Sequence, residues 1–256
     1  MREAAEPRHT IAMPLTASRP GPGEVRVWHA LVDDVLGGRD ARTRALTFLG
    51  PADCARYDRY RLSADRDMFL VGRVMARVLV GAALGVAPMA WTWQEGPRGR
   101  PGIASPATPL HFNLAHSAGL VVCALALAQE VGVDVEDLAR PTVDPGLVRR
   151  YCSPSEAADI EAEGPRSWRN RFLAYWTLKE AYLKARGLGI ALPLSDISFS
   201  IEGDAPTVTF LGRLAGLDTR WAFHLVRATD RHLLAAATPI ADRRPTFVVD
   251  RLPALW

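Results

Sequence analysis

The sequence predicts an α+β fold of two pseudo-symmetric halves. Each half is a long helix packed on a small, mostly antiparallel sheet, with a cleft between the halves. Three observations carry this. Two long segments, 64–84 and 172–189, have helical composition and end beside glycine. Each is followed by an extended stretch containing an aromatic and then by a hairpin, 110–127 and 220–237. The order of elements thus repeats although residue identity between the halves is faint. The division read from this order is a loose arm over 1–24, one half over 25–128 and a second over 129–256.

The arm is proline-rich and ends in Arg19-Pro20-Gly21-Pro22-Gly23-Glu24. An extended run follows from Val25, then a short helix over 53–62 and the long one over 64–84. The latter carries Phe69, Met75 and Leu79 on one face and Arg66, Arg73 and Arg77 elsewhere. Such arginines suit either a solvated surface or an anion site. A short strand over 91–94 leads into a Gly/Pro-rich loop with Arg98 and Arg100, either a plain connection or an anion-binding loop. Segments 110–115 and 120–128 form a hairpin with His116 at its tip. In the strand 131–136, Val131, Val133 and Val135 face one way while Gly132, Asp134 and Glu136 face the other. Those two carboxylates lie about 6.8 Å apart along the strand and can converge on one cation. Gly132 beside them suggests a close approach to the backbone. Further on come a short helix over 154–162 and strands over 194–201, 206–211, 220–228 and 232–238. The tail beyond 238 shows no element.

The segment 172–189 is the clearest helix. Phe172, Tyr175, Leu178 and Tyr182 supply an inward stripe; Trp176, Glu180 and Lys184, at i, i+4 and i+8, share another. The chain has 31 basic residues, and the only lysines are Lys179 and Lys184, both in this helix. A lysine presents a compact ammonium where arginine presents a wide planar fork, so the exception suits a site needing the smaller cation. A simple Glu180–Lys184 helix pair stays open as the plainer account. Because about 140° separates Lys179 from Lys184 around a helix, only Lys184 shares the stripe of Glu180.

At 256 residues, 48% hydrophobic and 23% charged, the chain has material for a sizeable core. The formal charge of +3 suits an acidic or phosphorylated partner but points neither to nucleic acid nor to a membrane. Three scattered cysteines, Cys54, Cys123 and Cys152, suggest neither disulfides nor zinc and fit a cytoplasmic protein. Asp134, Glu136 and Glu180 form an oxygen-only set, which favours Mg2+ together with ligand phosphates. With Lys184 one turn beyond Glu180, this is equipment for displacement at a diphosphate.

The motifs Gly132-Val133-Asp134-Val135-Glu136 and Trp176-Thr177-Leu178-Lys179-Glu180-Ala181-Tyr182-Leu183-Lys184, at this separation, resemble those of the 4′-phosphopantetheinyl transferases of the larger, two-halved, surfactin-synthetase-activator type. Gly99-Arg100-Pro101, Phe112-Asn113-Leu114-Ala115-His116-Ser117, the 66–77 helix and Leu192-Pro193-Leu194 extend the likeness. The resemblance implies a cytoplasmic enzyme that moves phosphopantetheine from coenzyme A to a serine of an apo acyl or peptidyl carrier protein with an acidic surface, releasing 3′,5′-ADP. On the family pattern Asp134, Glu136 and Glu180 would hold Mg2+, Glu180 or a water on it would be the base, and Lys184 would meet the phosphates. His116, Arg100 and, with less definite register, Arg66 would hold the 3′-phosphoadenosine part. A monomer is expected. Two departures are Ala115, where the family usually has serine, and Arg100, where lysine is common. The other readings are a catalytically silent module binding coenzyme A or a carrier protein, and a Mg2+-dependent phosphodiesterase using water as acceptor.

Overall fold

Runs such as Leu120–Leu127, apolar on every residue, cannot stand with one face in water. They call for a sheet covered on both sides. The computed structural model describes residues 19–96, 99–140, 143–188, 192–202, 205–252 and 255–256 and provides that cover. Its elements are β1 Glu24–Leu31, α1 Val32–Leu36, α2 Ala41–Leu46, α3 Pro51–Tyr57, α4 Ser63–Leu84, β2 Thr92–Glu95, β3 Pro101–Ser105, β4 Leu110–Ser117 and β5 Leu120–Leu127. Then follow β6 Gly132–Asp137, α5 Gly146–Tyr151, α6 Pro154–Ala162, α7 Gly164–Arg186, β7 Ile197–Ser200, β8 Thr207–Phe210, β9 Trp221–Arg227, β10 His232–Pro239 and β11 Thr246–Arg251.

Two sheets form the centre, ordered β11-β1-β5-β4 and β6-β10-β9; β2-β3 and β7-β8 are separate ribbons. Strand alternation sorts the side chains. Trp28, Val121, Cys123 and Leu125 face α4 and join its Leu70, Val74 and Leu79. Ala235 and Ala237 face α7 and meet Leu178, Ala181 and Tyr182. The opposite faces meet each other: Val25, Val27, Val122 and Ala124 pack on Val133, Val135, Leu234 and Ala236. The order of layers is helix, sheet, sheet, helix, and small side chains between the sheets let them approach closely.

Both helices stop where expected. Gly85 and Gly187 cap them in the left-handed conformation, φ 72° and 62°. Helix α7 begins at Gly164 rather than near Phe172, because Pro165 starts it and its first turns are polar, without an apolar stripe to read. The segment expected as a strand from 194 begins with a one-turn 3-10 helix, and only Ile197–Ser200 is extended. The run from Val25 turns helical at Val32. The largest departure is the tail. Strand β11 pairs in parallel with β1 from Glu24↔Thr246 to His29↔Arg251, so the chain after residue 238 returns to the first sheet. That strand owes its existence to a partner more than 200 residues away in sequence, which no local pattern reveals. Positions 1–18 of the expected arm, Arg98 and Gly189 lie outside the described residues.

Candidate active site

Strand β6 and helix α7 approach as closely as two backbones can. A Cβ built on Gly132 would lie 2.1 Å from the Ala181 carbonyl and 2.3 Å from the Ala185 nitrogen. The close approach inferred at Gly132 is therefore that of the helix itself. It has a chemical result: Asp134 is drawn onto the stripe that carries Glu180 and Lys184. Lys184 Nζ donates to Asp134 Oδ1 at 2.6 Å, reaching across to β6 rather than pairing within its own helix.

Three carboxylates gather around this contact. Asp134 is 7% exposed, and its Oδ2 is buried without a hydrogen-bond partner; Glu180 Oε1 is likewise unpartnered. Burial raises the proton affinity of Asp134, against the pull of Lys184. Burial and then the Asp134 charge raise that of Glu180. Glu136, held by the Trp176 side chain and 3.9 Å from Arg140, is pushed up to about 7 by burial and then by Asp134. Among the described residues no three His, Cys, Asp or Glu side chains are drawn together as a finished metal cluster. The unpartnered oxygens nevertheless fit a cation bound between β6 and α7. They are buried and mutually repelling, and one lysine does not balance them.

The second lysine of α7 does something else. Lys179 is 1% exposed and donates to Glu156 Oε2 at 2.5 Å and to the carbonyls of Tyr151 and Leu194 at 2.8 Å each. Glu156 in turn accepts from the backbone of Ser153 and Phe199. This ion pair is a buried fastening of α5, α6 and α7, turned away from the site.

A cleft of about 650 Å³ is lined by α3, α4, β2 and β4, and its His116 feels the charges of Lys184 and Asp134. His116 stands on its wall with an exposed ring; crowding by the surrounding atoms and then the nearby Lys184 ammonium lower its proton affinity. Ala115 lines the same wall. The opposite side carries Arg56, Arg59 and Arg73. Arg73 pairs with Asp53 at 2.9 Å and lies over the rings of Phe69 (4.9 Å) and Trp93 (4.1 Å). Sequence reasoning missed Arg56 and Arg59. Their spacing of three on a short basic segment before α4 was the available signal. Arg77, one candidate for a solvated face, is buried and donates to the Trp91 carbonyl at 2.5 Å.

The expected phosphate-binding arginines are not brought together with His116. Arg66 packs its guanidinium over Tyr57 at 5.3 Å and is absent from the cleft lining. Arg100 Nη1 donates to the Ala185 carbonyl at 2.5 Å and Nη2 to the Val131 carbonyl at 3.1 Å, in a neighbouring pocket of about 400 Å³. A planar fork within reach of two converging carbonyls binds both, and Arg100 is not among the residues that line the cleft.

A family model described as the 4′-phosphopantetheinyl transferase superfamily matches residues 130–237, the segment that holds β6 and α7. The chain is 33% identical over 196 residues to the 4′-phosphopantetheinyl transferase HetI of Nostoc sp., covering 75% of this chain and 78% of that protein. It is 31% identical over 229 residues to a phosphopantetheinyl transferase of Thraustochytrium sp., covering 84% and 79%. A Bacillus subtilis 4′-phosphopantetheinyl transferase is 31% identical over 147 residues, 57% of this chain and 63% of that protein. The gathering of Asp134, Glu136, Glu180 and Lys184 across β6 and α7, and the likeness to proteins covered over three quarters of their length, lead to one assignment: the chain belongs to the 4′-phosphopantetheinyl transferase superfamily.

Proposed function

We propose that this protein transfers the 4′-phosphopantetheine group of coenzyme A to a serine of an apo carrier protein, with release of 3′,5′-ADP. The observation that carries the reading is the Lys184–Asp134 contact flanked by the unpartnered oxygens of Asp134 and Glu180, within electrostatic reach of His116 on the wall of an arginine-lined cleft. Coenzyme A lies along the cleft. Its 3′-phosphate faces His116 and the Arg56–Arg59–Arg73 side, and its diphosphate faces Lys184. Asp134, Glu136 and Glu180 would hold Mg2+, which supplies positive charge against the diphosphate oxygens.

The carrier serine hydroxyl attacks the phosphorus that bears pantetheine. A new P–O bond forms to serine, the P–O bond to 3′,5′-ADP breaks, and the serine proton passes to Glu180 or to a water that it holds. Lys184 balances charge on the departing nucleotide, and Trp176 orients Glu136. Lys184 must exchange part of its contact with Asp134 for the phosphate, which its short, mobile ammonium allows.

The helix-on-sheet units within residues 25–128 and 129–256 are read as related halves, supported by the repeated order of long helix, ribbon and hairpin, with β11 of the second stretch joining the sheet of the first. A monomer acting in the cytoplasm suits the free Cys54, Cys123 and Cys152. Incubating the protein with coenzyme A, Mg2+ and an apo carrier, followed by intact-mass spectrometry, tests the reaction. The carrier gains one phosphopantetheine group if the reading holds. Cleavage of coenzyme A with an unmodified carrier would replace it with hydrolysis, and no chemistry from folded protein would remove it.

A further inference from the structure

Strand β6 carries two of the carboxylates, and it is an edge strand: its sheet runs β6-β10-β9 and stops. The backbone on its free edge needs partners. Among the described residues no strand supplies them. Two side chains from the other sheet's side of the molecule do. Asn113, 5% exposed on β4, accepts from the Val133 N–H through Oδ1 at 3.0 Å. Arg100, from the segment entering β3, donates to the Val131 carbonyl at 3.1 Å. Val131 and Val133 differ by two positions, so both groups lie on the same edge of one strand. The other arm of Arg100 reaches the Ala185 carbonyl, one residue beyond Lys184 on α7.

The geometry points to Arg100 and Asn113 as a positioning pair that substitutes for a missing strand and fixes β6 and the end of α7 against the half bearing His116. The residue after Val133 is Asp134, and the residue before Ala185 is Lys184. Both tethers therefore sit one peptide from the groups whose separation from His116 defines the width of the site. The arrangement explains why arginine stands at position 100. Two carbonyls from separate elements, a strand and a helix end, need two N–H groups fixed in one plane, and a lysine offers a single rotating ammonium instead. It also gives Asn113 a task that an aliphatic residue of similar size cannot perform. This inference rests on the proposed transfer only for its effect on rate; the tethering itself is independent of it.

The test uses Arg100→Lys and Asn113→Leu in the full chain, with hydrogen exchange followed by mass spectrometry on peptides spanning β6 and, as an internal reference, β9. Arg100 is partly exposed, so Arg100→Lys is expected to fold even if Asn113→Leu does not. Exchange in β6 should rise about tenfold or more in each folded variant while β9 is unchanged, as expected when a local opening loses its restraint. In the transfer assay kcat should fall at least tenfold with KM for coenzyme A little changed, and the preference for coenzyme A over its 3′-dephospho form should persist. Unchanged exchange in β6 overturns the tethering. Faster exchange with full kcat overturns the positioning role, and loss of the 3′-phosphate preference in Arg100→Lys makes Arg100 a ligand contact instead. A wild-type protein without transfer activity sinks the functional reading alone, since the exchange comparison still decides whether the two side chains hold the strand.

Discussion

Lys179 and Glu156 meet as an ion pair sealed from water, at 1% and 0% side-chain exposure, five positions before the lysine that faces the site. Burial lowers the proton affinity of Lys179 and raises that of Glu156, and each partner opposes the change in the other. Removing one partner leaves the other charge stranded in the core. Lys179→Ala should therefore destabilise the fold by about 3–5 kcal/mol. Lys179→Met with Glu156→Leu should recover part of that loss. Urea unfolding of the single and double variants measures it; a single variant as stable as wild type would show that the pair is not charged. The sequence placed Lys179 off the stripe of Glu180 and gave no sign of a buried partner. The structure gives it an effect through stability.

Asp134 and Glu180 should bind a divalent ion through the oxygens that lack partners. With coenzyme A present, the wild-type protein should bind Mn2+, detected by loss of the free-ion paramagnetic resonance signal. Asp134→Asn should weaken that binding at least tenfold and abolish transfer while the far-ultraviolet dichroism is retained. Equal Mn2+ affinity in the variant would remove Asp134 from the ligand set.

His116 and Arg56 are expected to read the 3′-phosphate. Loss of one charge-assisted contact costs about 1.5–3 kcal/mol, tenfold or more in affinity. Arg56→Ala should narrow the difference in KM between coenzyme A and its 3′-dephospho form by that factor, and His116→Ala should act in the same direction. If both variants keep the wild-type difference, the nucleotide lies elsewhere.

Gly132 admits no side chain, because its Cβ would overlap the α7 backbone. Gly132→Ala should force β6 away from α7, break the Lys184–Asp134 contact and lower the melting temperature sharply. At Gly102 a Cβ would meet only Gln94 at 3.9 Å, so Gly102→Ala should melt near wild type. Comparable melting temperatures for the two variants would show that β6 can shift without cost.

His232 supplies a pH signature. It is 3% exposed, with Nδ1 2.8 Å from the Thr229 hydroxyl and Nε2 3.3 Å from the Ala118 carbonyl. Burial first, then the charge of Arg231, lowers its proton affinity below the usual 6.5. The unfolded chain then binds the proton more readily than the folded one. Stability is full above about pH 6.5 and declines as pH falls below it, by at most about 1.4 kcal/mol per pH unit from this group. His232→Gln should flatten that slope in denaturation curves taken between pH 5 and 7; an unchanged slope would assign it to another group.

How much of this was legible in the sequence depended on the range of the forces involved. The alternation in Gly132–Glu136 and the i, i+4 stripe of Trp176, Glu180 and Lys184 are local, and β6 and α7 present those residues as the pattern implied. The two helix ends were marked by Gly85 and Gly187. What failed to show was whatever required a distant partner. Arg77 reads like a surface residue until the Trp91 carbonyl returns to accept its hydrogen bond. Nothing local to Arg100 announces the Val131 and Ala185 carbonyls that converge on it. Lys179 carries a surface residue's charge, and only Glu156, 23 positions earlier, makes a core residue of it.

The parallel pairing of β1 with β11 also sets a schedule for synthesis. Strand β1 leaves the ribosome more than 200 residues before its outer neighbour β11. During elongation one side of β1 has only unpaired backbone to show, the kind of edge that recruits other strands. The first sheet can close only once β11 has been made, so the sheet that begins first is completed after β6, β10 and β9.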